Sequence, residues 1–417
     1  MTHKQRAWTV LIALAFAQIF MFGPTIATIG VFLTPLVKEF GWSGSQAARL
    51  ATATELGLGV ASITAGWLID RLDARWVMTV GALLAGAGFL TAASSHSLAL
   101  MTASYVVIGA GVAFCGMVPS AYVCVNWFPT QRGLAVAVTL IGSGIGLALA
   151  PRLTTLVIAR AGWRTAMTAI GLPMLLLSAP AVAIFIRARP LEAVSSAHRE
   201  GSELAGVDTP RALASSAFWI ILGFSLLAQL GVGAVYFHTV PYLITGAGYT
   251  PATASLIFGG QALLFGPGAL LLGMLADRFG PKAVLFASYA LLAGSVASLL
   301  AASNHALGFL PVIFYGVLWG VDMGNAAAMP TLLAETFGMR RFGTISGLGT
   351  LTVFVGQGLG PIITGTLLDR TKSYAAPFEI AIGLMLAAAA MTTLVYPVEG
   401  HDRVPEKAHA LSAASAV

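Results

Sequence analysis

Four ionisable side chains lie inside long apolar stretches of this sequence: Glu55, Arg152, His238 and Asp322. A charge held in such a place costs about 2.5–3.5 kcal/mol or more on insertion scales unless it is paired or wetted. Each therefore needs a partner, a cavity or a task. Asp322 and Glu55 are candidates for loading and releasing a proton. Arg152 directly follows Pro151 in "GIGLALAPRLTTLVIARAGWR" (144–164). Its planar fork suits a carboxylate, which makes it a candidate anion anchor. A structural pair with Glu55, and snorkelling of the charged head to the membrane surface, are the alternatives. Asp322 has the alternative of packing, hydrogen-bonded to Asn325 or a neighbouring helix. His238, beside Tyr236 and Thr239, either titrates or packs.

The polar groups that could line a solute site with Arg152 and His238 are Thr28, Tyr236, Gln261, Asn325 and Gln357, with Thr25, Tyr122 and Gln229 behind them. Isolated polar groups also join membrane helices to each other. Phe22, Phe114 and Trp319 could wall an apolar part of the site or simply pack. No nucleophile elbow, metal-ligand spacing or phosphate loop stands out, so no catalytic residue, metal or cofactor is expected. Cys115 and Cys124 share one apolar segment and read as buried free thiols.

The elements that must position these groups follow from composition. Of 417 residues 57% are hydrophobic and 9% charged, against about 25% charged in soluble domains. Many apolar runs reach the roughly 20 residues that cross a bilayer. They are continuous rather than alternating, so the spans are helical and the class is an all-α membrane protein. The 47 glycines suit close helix packing. The apolar run that opens the chain continues too far for a signal peptide and reads as the first span. Twelve spans are expected, near 8–37, 47–70, 76–95, 99–127, 131–160, 165–187, 215–245, 252–275, 281–302, 308–336, 341–368 and 375–396.

The long polar stretch after the sixth span divides the chain into a six-helix bundle over 1–187, a linker over 188–214, a second bundle over 215–398 and a tail over 399–417. A short amphipathic helix could lie in the linker. With both termini cytoplasmic, fifteen Lys and Arg lie on the cytoplasmic side and six on the other. The positive-inside rule selects that orientation. The net charge of +6 then needs no nucleic-acid partner.

The two halves repeat. "GWLIDRLDAR" (66–75) follows the second span and "GMLADRFGPK" (273–282) the eighth, with Gly, Leu, Asp-Arg and a final basic residue at matching offsets. Pro151 and Pro361 each follow a glycine-spaced helix, 210 positions apart. The paired loops resemble the signature G-x-L-x-D-R-x-G-x-[RK] of the major facilitator superfamily. The second copy matches fully; the first has Asp73 where glycine is usual, so its turn must differ. "GVFLTPLVKEFGWSGSQA" (30–47), "NWFPTQRGLA" (126–135) and "PRLTTLVIARAGWR" (151–164) resemble the monocarboxylate-transporter-like and oxalate/formate-type branch.

That resemblance implies two pseudo-symmetric six-helix bundles and alternating access in a functional monomer within the lipid bilayer of the inner membrane. It implies a conformational latch made of Gly66, Asp70, Arg71, Arg75, Gly273, Asp277, Arg278 and Lys282. It also implies a small organic anion, such as a monocarboxylate, as solute and protons as the coupled ion. One departure bears on the anion: Ala269 stands where many members of the branch carry an arginine in the eighth span. The competing expectations are an exporter of neutral or cationic amphiphiles, a sensor that kept the fold without flux, and a membrane enzyme.

Overall fold

Several of the spans are interrupted partway along their length. The computed structural model describes residues 3–42, 44–187 and 206–398; most of the expected linker and all of the expected tail lie outside them. The first span comprises α1 (His3–Phe20) and α2 (Phe22–Phe40), the second α3 (Gly44–Ile69) and the third α4 (Ala74–Ala93). The fourth comprises α5 (Leu98–Cys115) and α6 (Met117–Trp127). The continuous α7 (Arg132–Pro173) holds the fifth span and the start of the sixth, divided at Gly162, whose φ of 81° leaves the helical region. A π-helical turn (Met174–Ser178) and α8 (Ala179–Phe185) complete the sixth. In the second half, α9 (Thr209–Ala214) precedes the seventh span, α10 (Ser216–Tyr236) and α11 (Thr239–Thr245). Then come α12 (Pro251–Phe279), α13 (Pro281–Ala301), and the tenth span of α14 (Leu310–Asp322), a 3₁₀ turn (Met323–Ala327) and α15 (Ala328–Phe337). The last two spans are α16 (Phe342–Thr371) and α17 (Ala375–Thr392).

Among the described residues ten stretches are long and apolar enough to cross a membrane; Arg132–Phe185 holds two of the expected spans and α3 supplies another, which gives the expected twelve. The first, fourth, seventh and tenth are all broken. In each, the resumed helix carries proline at its third position: Pro24, Pro119, Pro241 and Pro330. Proline lacks an N–H and clashes with the carbonyl four residues back, which favours a break before it, although Pro35, Pro151, Pro267 and Pro361 sit inside continuous helices. Each break frees backbone groups that need partners away from water. At Gly116 the buried Gln18 supplies one: its Nε2 donates to Cys115 O (2.8 Å) and to Ser120 Oγ (2.9 Å). The first span's break is tied to the fourth's in this way.

Within the first half α3 packs on α5, α4 on α5 and α8, and α1 and α2 on α7. Within the second, α10 packs on α16 and α17, α13 on α14 and α17, and α12 on α14. The halves meet along two seams, α3 against α16 and α7 against α12. The face carrying both ends of the chain is called the terminal face below, and the opposite one the far face. At the terminal face, the described end of the linker belongs to the second half. Val207 N–H donates to Phe337 O (2.9 Å) and Asp208 pairs with Arg340 (3.3 Å). Within the described part of the linker the helical segment is α9; the rest of the stretch expected to hold a short amphipathic helix lies outside the described residues. At the far face, Glu39 accepts from the Trp163 indole and from Arg164, stapling the end of α2 to the loop at Gly162.

Two expectations follow. Gln18→Leu leaves the Cys115 carbonyl buried without a donor, which costs about 1–3 kcal/mol and should lower the melting temperature in detergent. The Trp163 and Arg164 hydrogen bonds hold the Glu39 carboxylate below its ordinary value of 4.5. The unfolded chain binds that proton more readily, so the staple contributes fully above about pH 4.5 and is lost as pH falls through the lower folded value. The pair is exposed and worth at most about 1 kcal/mol. Melting curves of Glu39→Gln against the parent should differ at pH 7 and converge in acid.

Candidate functional site

Both seams are zipped at the terminal face and parted at the far face. Gly66 on α3 meets Gly343 on α16 at backbone distance: a Cβ on Gly66 would lie 2.0 Å from Gly343 O. On the other seam a Cβ on Gly133 would lie 2.3 Å from Gly273 O. Only glycine permits that approach. It brings helix N-termini within reach of the carboxylates in the repeated loops. Asp70 accepts from Gly343 N (2.9 Å), Thr344 N (2.8 Å) and Thr344 Oγ1 (2.6 Å). Asp277 accepts from Gly133 N (2.7 Å) and Leu134 N (2.9 Å). Each half caps a helix of the other, where orphan N–H groups and the helix dipole favour an anion.

The latch expectation is thereby corrected in part. Gly66, Asp70, Gly273 and Asp277 make the crossing contacts. The basic members face their own flanks: Arg71 lies over Trp67 (4.0 Å), Arg75 over Trp76 (4.6 Å) and Arg278 over Phe279 (5.2 Å). Lys282 donates to Val395 O (2.8 Å). The first loop's turn does differ: Asp73, at φ −63°, caps α4 through Arg75 N, where Gly280 adopts φ +85°.

Farther out the seams separate. On the α3 seam, Gly59 still touches Leu351 and Phe354 (3.4 and 3.6 Å from its Cβ position), whereas Gly358 and Gly365 have nothing within 4 Å. Glu55 continues the stripe Gly66, Ser62, Gly59 by one turn. In this antiparallel register it stands level with Phe354 to Gly358, the stretch holding Gln357. Glu55 Oε2 is buried and has no hydrogen-bond donor. On the α7 seam the outermost glycine of α7 in close approach to α12 is Gly144, over Phe265 (3.0 Å).

Arg152 is not where an anchor or a Glu55 partner must be. Glu55 lies on the α3–α16 seam and Arg152 on the helix of the other seam, so the two cannot pair. Arg152 is exposed, on one helical face with Ile145, Leu149 and Leu156, which are 41–52% exposed. The inward face of α7 is the opposite one, with buried Leu140, Ser143 and Thr154. Among the described residues no carboxylate reaches Arg152. Of the three sequence alternatives, the placement is that of a snorkelling side chain.

Asp322 is buried and turned toward α13, accepting from Ser288 Oγ and from Asn325 Nδ2 (3.4 Å), one residue before the 3₁₀ turn. That is the packing alternative. Thr28 spends its hydroxyl on Pro24 O (2.6 Å), while Thr25 Oγ1 has no partner. His238 sits in the break between α10 and α11, its ring 6.3 Å from Tyr374 and its Nδ1 without a partner. Gln357 lays its backbone against Gly233.

The second half does bring part of the expected set together. The Tyr236 ring lies 5.0 Å from that of Phe258, tilted by 50° to it. Tyr315 and Thr239 share a hydrogen bond (2.7 Å) beneath them. Gln261 is 2% exposed, and neither of its amide atoms has a hydrogen-bond partner. Burying an unpaired amide costs about 1–3 kcal/mol in mutational data, so this amide is an open demand for a ligand group or water. Tyr315 and Phe258 were not singled out in the sequence; the only signal was Tyr315's place seven residues, two turns, before Asp322.

The model of the Major Facilitator Superfamily matches residues 10–253 and 226–416. The chain belongs to this superfamily. It is 26% identical over 413 residues to the probable sulfoacetate transporter SauU of Cupriavidus necator, covering 90% of each chain. It is 28% identical over 402 residues to monocarboxylate transporter 11 of Mus musculus, covering 91% of this chain and 85% of that one. A shorter match, 32% over 149 residues, links it to the riboflavin transporter RibJ of Trypanosoma cruzi, over 34% of this chain and 32% of that one. Two of these relatives are thus transporters named for sulfoacetate and for monocarboxylates. Its fold matches the proton:xylose symporter XylE (TM-score 0.74, 16% identity, 96% and 98% covered) and the Escherichia coli fucose:proton symporter FucP (0.70, 14%, 94% and 100%). This superfamily protein is a multi-pass membrane transporter.

The latch makes a prediction. Asp70→Ala removes three charge-assisted hydrogen bonds and Gly343→Ala pushes the seam apart. Hydrogen bonds to a charged group contribute about 1.5–3 kcal/mol, so the zipped-to-parted ratio should fall by roughly ten- to a hundredfold. Spin labels on the exposed Leu72 and Phe279 should report longer distances across the terminal face in both variants. Unchanged distances would remove the latch role.

Proposed function

We propose that this transporter carries small organic acids together with protons, with its termini in the cytoplasm and its spans in the inner membrane. One observation carries the reading. Among the described residues, the interior holds Glu55 and Asp322 but no inward-facing cation. Apart from Arg152, every described Lys and Arg lies in a loop or within two turns of a helix end or of Gly162. An organic anion therefore meets no fixed positive charge, and a proton must supply the compensation. Glu55, with its undonated Oε2 at the point where a seam opens, is the proposed carrier, with Asp322 at the tenth-span break as a second. Gln261, Tyr236 and Gln357 are proposed to meet the solute, with Asn325, His238 and Thr28 more remote. The names of the monocarboxylate and sulfoacetate relatives support this solute class. Catalysis follows from no arrangement here.

The negative interior also favours a second reading, the export of cationic amphiphiles. Vesicle flux separates the two. In proteoliposomes an inside-alkaline gradient should drive accumulation of labelled lactate or sulfoacetate. Glu55→Gln should cut that accumulation at least tenfold while leaving solute counterflow intact, and Arg152→Ala should leave both unchanged. Uptake indifferent to the gradient would overturn the coupling. No acid flux, with expulsion of a cationic dye instead, would establish the second reading.

A further inference from the structure

Among the described residues, Gln261 is the side chain with both of its polar atoms buried and unanswered: it is 2% exposed, and neither Oε1 nor Nε2 has a hydrogen-bond partner. Its backbone is held in place. The helix α14 crosses α12 here, and a Cβ on Gly320 would lie 2.8 Å from Gln261 O. Gln261 stands one turn outward from Phe265, the residue that Gly144 of the first half touches.

The hydroxyls beside it do not meet the need of its oxygen. Tyr315 lies close by on α14, but its proton is committed. Thr239 Oγ1 has one proton and gives it to Val235 O (2.9 Å), so in the 2.7 Å pair with Tyr315 the phenol is the donor. What remains on Tyr315 is an acceptor. Even where Nε2 turns toward it, Oε1 is left without a donor.

The chemistry of the missing partner follows. A carboxylate is an acceptor only, so one of its oxygens would face Oε1 lone pair to lone pair. It would also bring a second negative charge into an interior that holds Glu55 and Asp322 and, among the described residues, no inward cation. A protonated carboxylic acid instead offers a carbonyl to Nε2 and an O–H to Oε1, side by side in one plane like the two ends of the amide. Exchanging the amide's oxygen and nitrogen leaves that match unchanged. A neutral acid also needs no fixed positive charge.

We propose that Gln261 holds the acid group of the solute in its protonated, neutral form through two hydrogen bonds. Nε2–H donates to the acid's carbonyl, and the acid's O–H donates to Oε1. The proposal rests on the organic-acid reading above and adds the form in which the acid is bound. The proton on the solute is additional to the one proposed for Glu55.

The test is counterflow of labelled lactate in proteoliposomes of the full chain. Propionamide offers the same acceptor and donor without a charge. It should inhibit competitively, with one half-inhibiting concentration from about pH 5.5 to about pH 7.5. Methyl propionate has the carbonyl but no O–H or N–H, and should inhibit at least about tenfold more weakly, because it leaves Oε1 unpaired. Gln261→Leu should raise the KM for lactate at least about tenfold and abolish inhibition by propionamide. Gln261→Asn, which keeps the amide on a shorter stem, should fall between. The inhibitor series uses the parent protein, so the test stands where a variant folds poorly. Lactate flux indifferent to propionamide and to Gln261→Leu would overturn the proposal and leave the organic-acid reading standing. Equal inhibition by the ester and the amide would do the same. Absence of lactate flux in the parent would overturn the organic-acid reading, and this proposal with it.

Discussion

The arrangement of the two halves depends on a carboxylate of each capping a helix of the other. Asp70 directly follows α3 and Asp277 lies in the last turn of α12, and a carboxylate at such a helix end would alone stay hydrated. They reach buried N–H groups because Gly66–Gly343 and Gly133–Gly273 let two backbones touch. The glycines provide the distance and the helix termini provide the field. Each interaction exists only while the terminal face is zipped. The same contacts that define this state are therefore the ones that must be surrendered in the other, as an alternating-access transporter requires.

Proline supplies the second organising constraint. Four spans are broken, and in each the resumed helix has proline at its third position. The freed backbone is then available to side chains: Gln18 takes the carbonyl at the fourth-span break, and Asp322 stands at the edge of the tenth-span break with Ser288 and Asn325. Where no side chain answers, as with the amide of Gln261 and Oε2 of Glu55, the interior retains hydrogen-bonding capacity. Those open groups mark where a solute or a proton has something to gain.

Charge is distributed by the same economy of burial. Cations are kept to loops and helix ends, acids are admitted to the interior, and the exceptional Arg152 faces outward among leucines. The absence of an inward cation among the described residues fits the Ala269 departure noted in the sequence. Both bear on the proposed solute: an organic anion would find no fixed inward cation among the described residues.

The sequence by itself determined the twelve spans, the division into two halves, the repeated loops and the list of costly charges. Each depends on local chemistry: apolar run length, glycine and proline placement, and the price of a charge in hydrocarbon. The capping role of Asp70 and Asp277 was legible as one of two options, since a carboxylate in a loop can serve a cation or a helix end. Tertiary structure alone decided between them, because the choice rests on residues some 144 and 273 positions away. It alone separated Glu55 from Arg152, which share a depth but belong to different seams. Depth follows from counting along one helix. Azimuth depends on which neighbour each face meets, and no single helix carries that information.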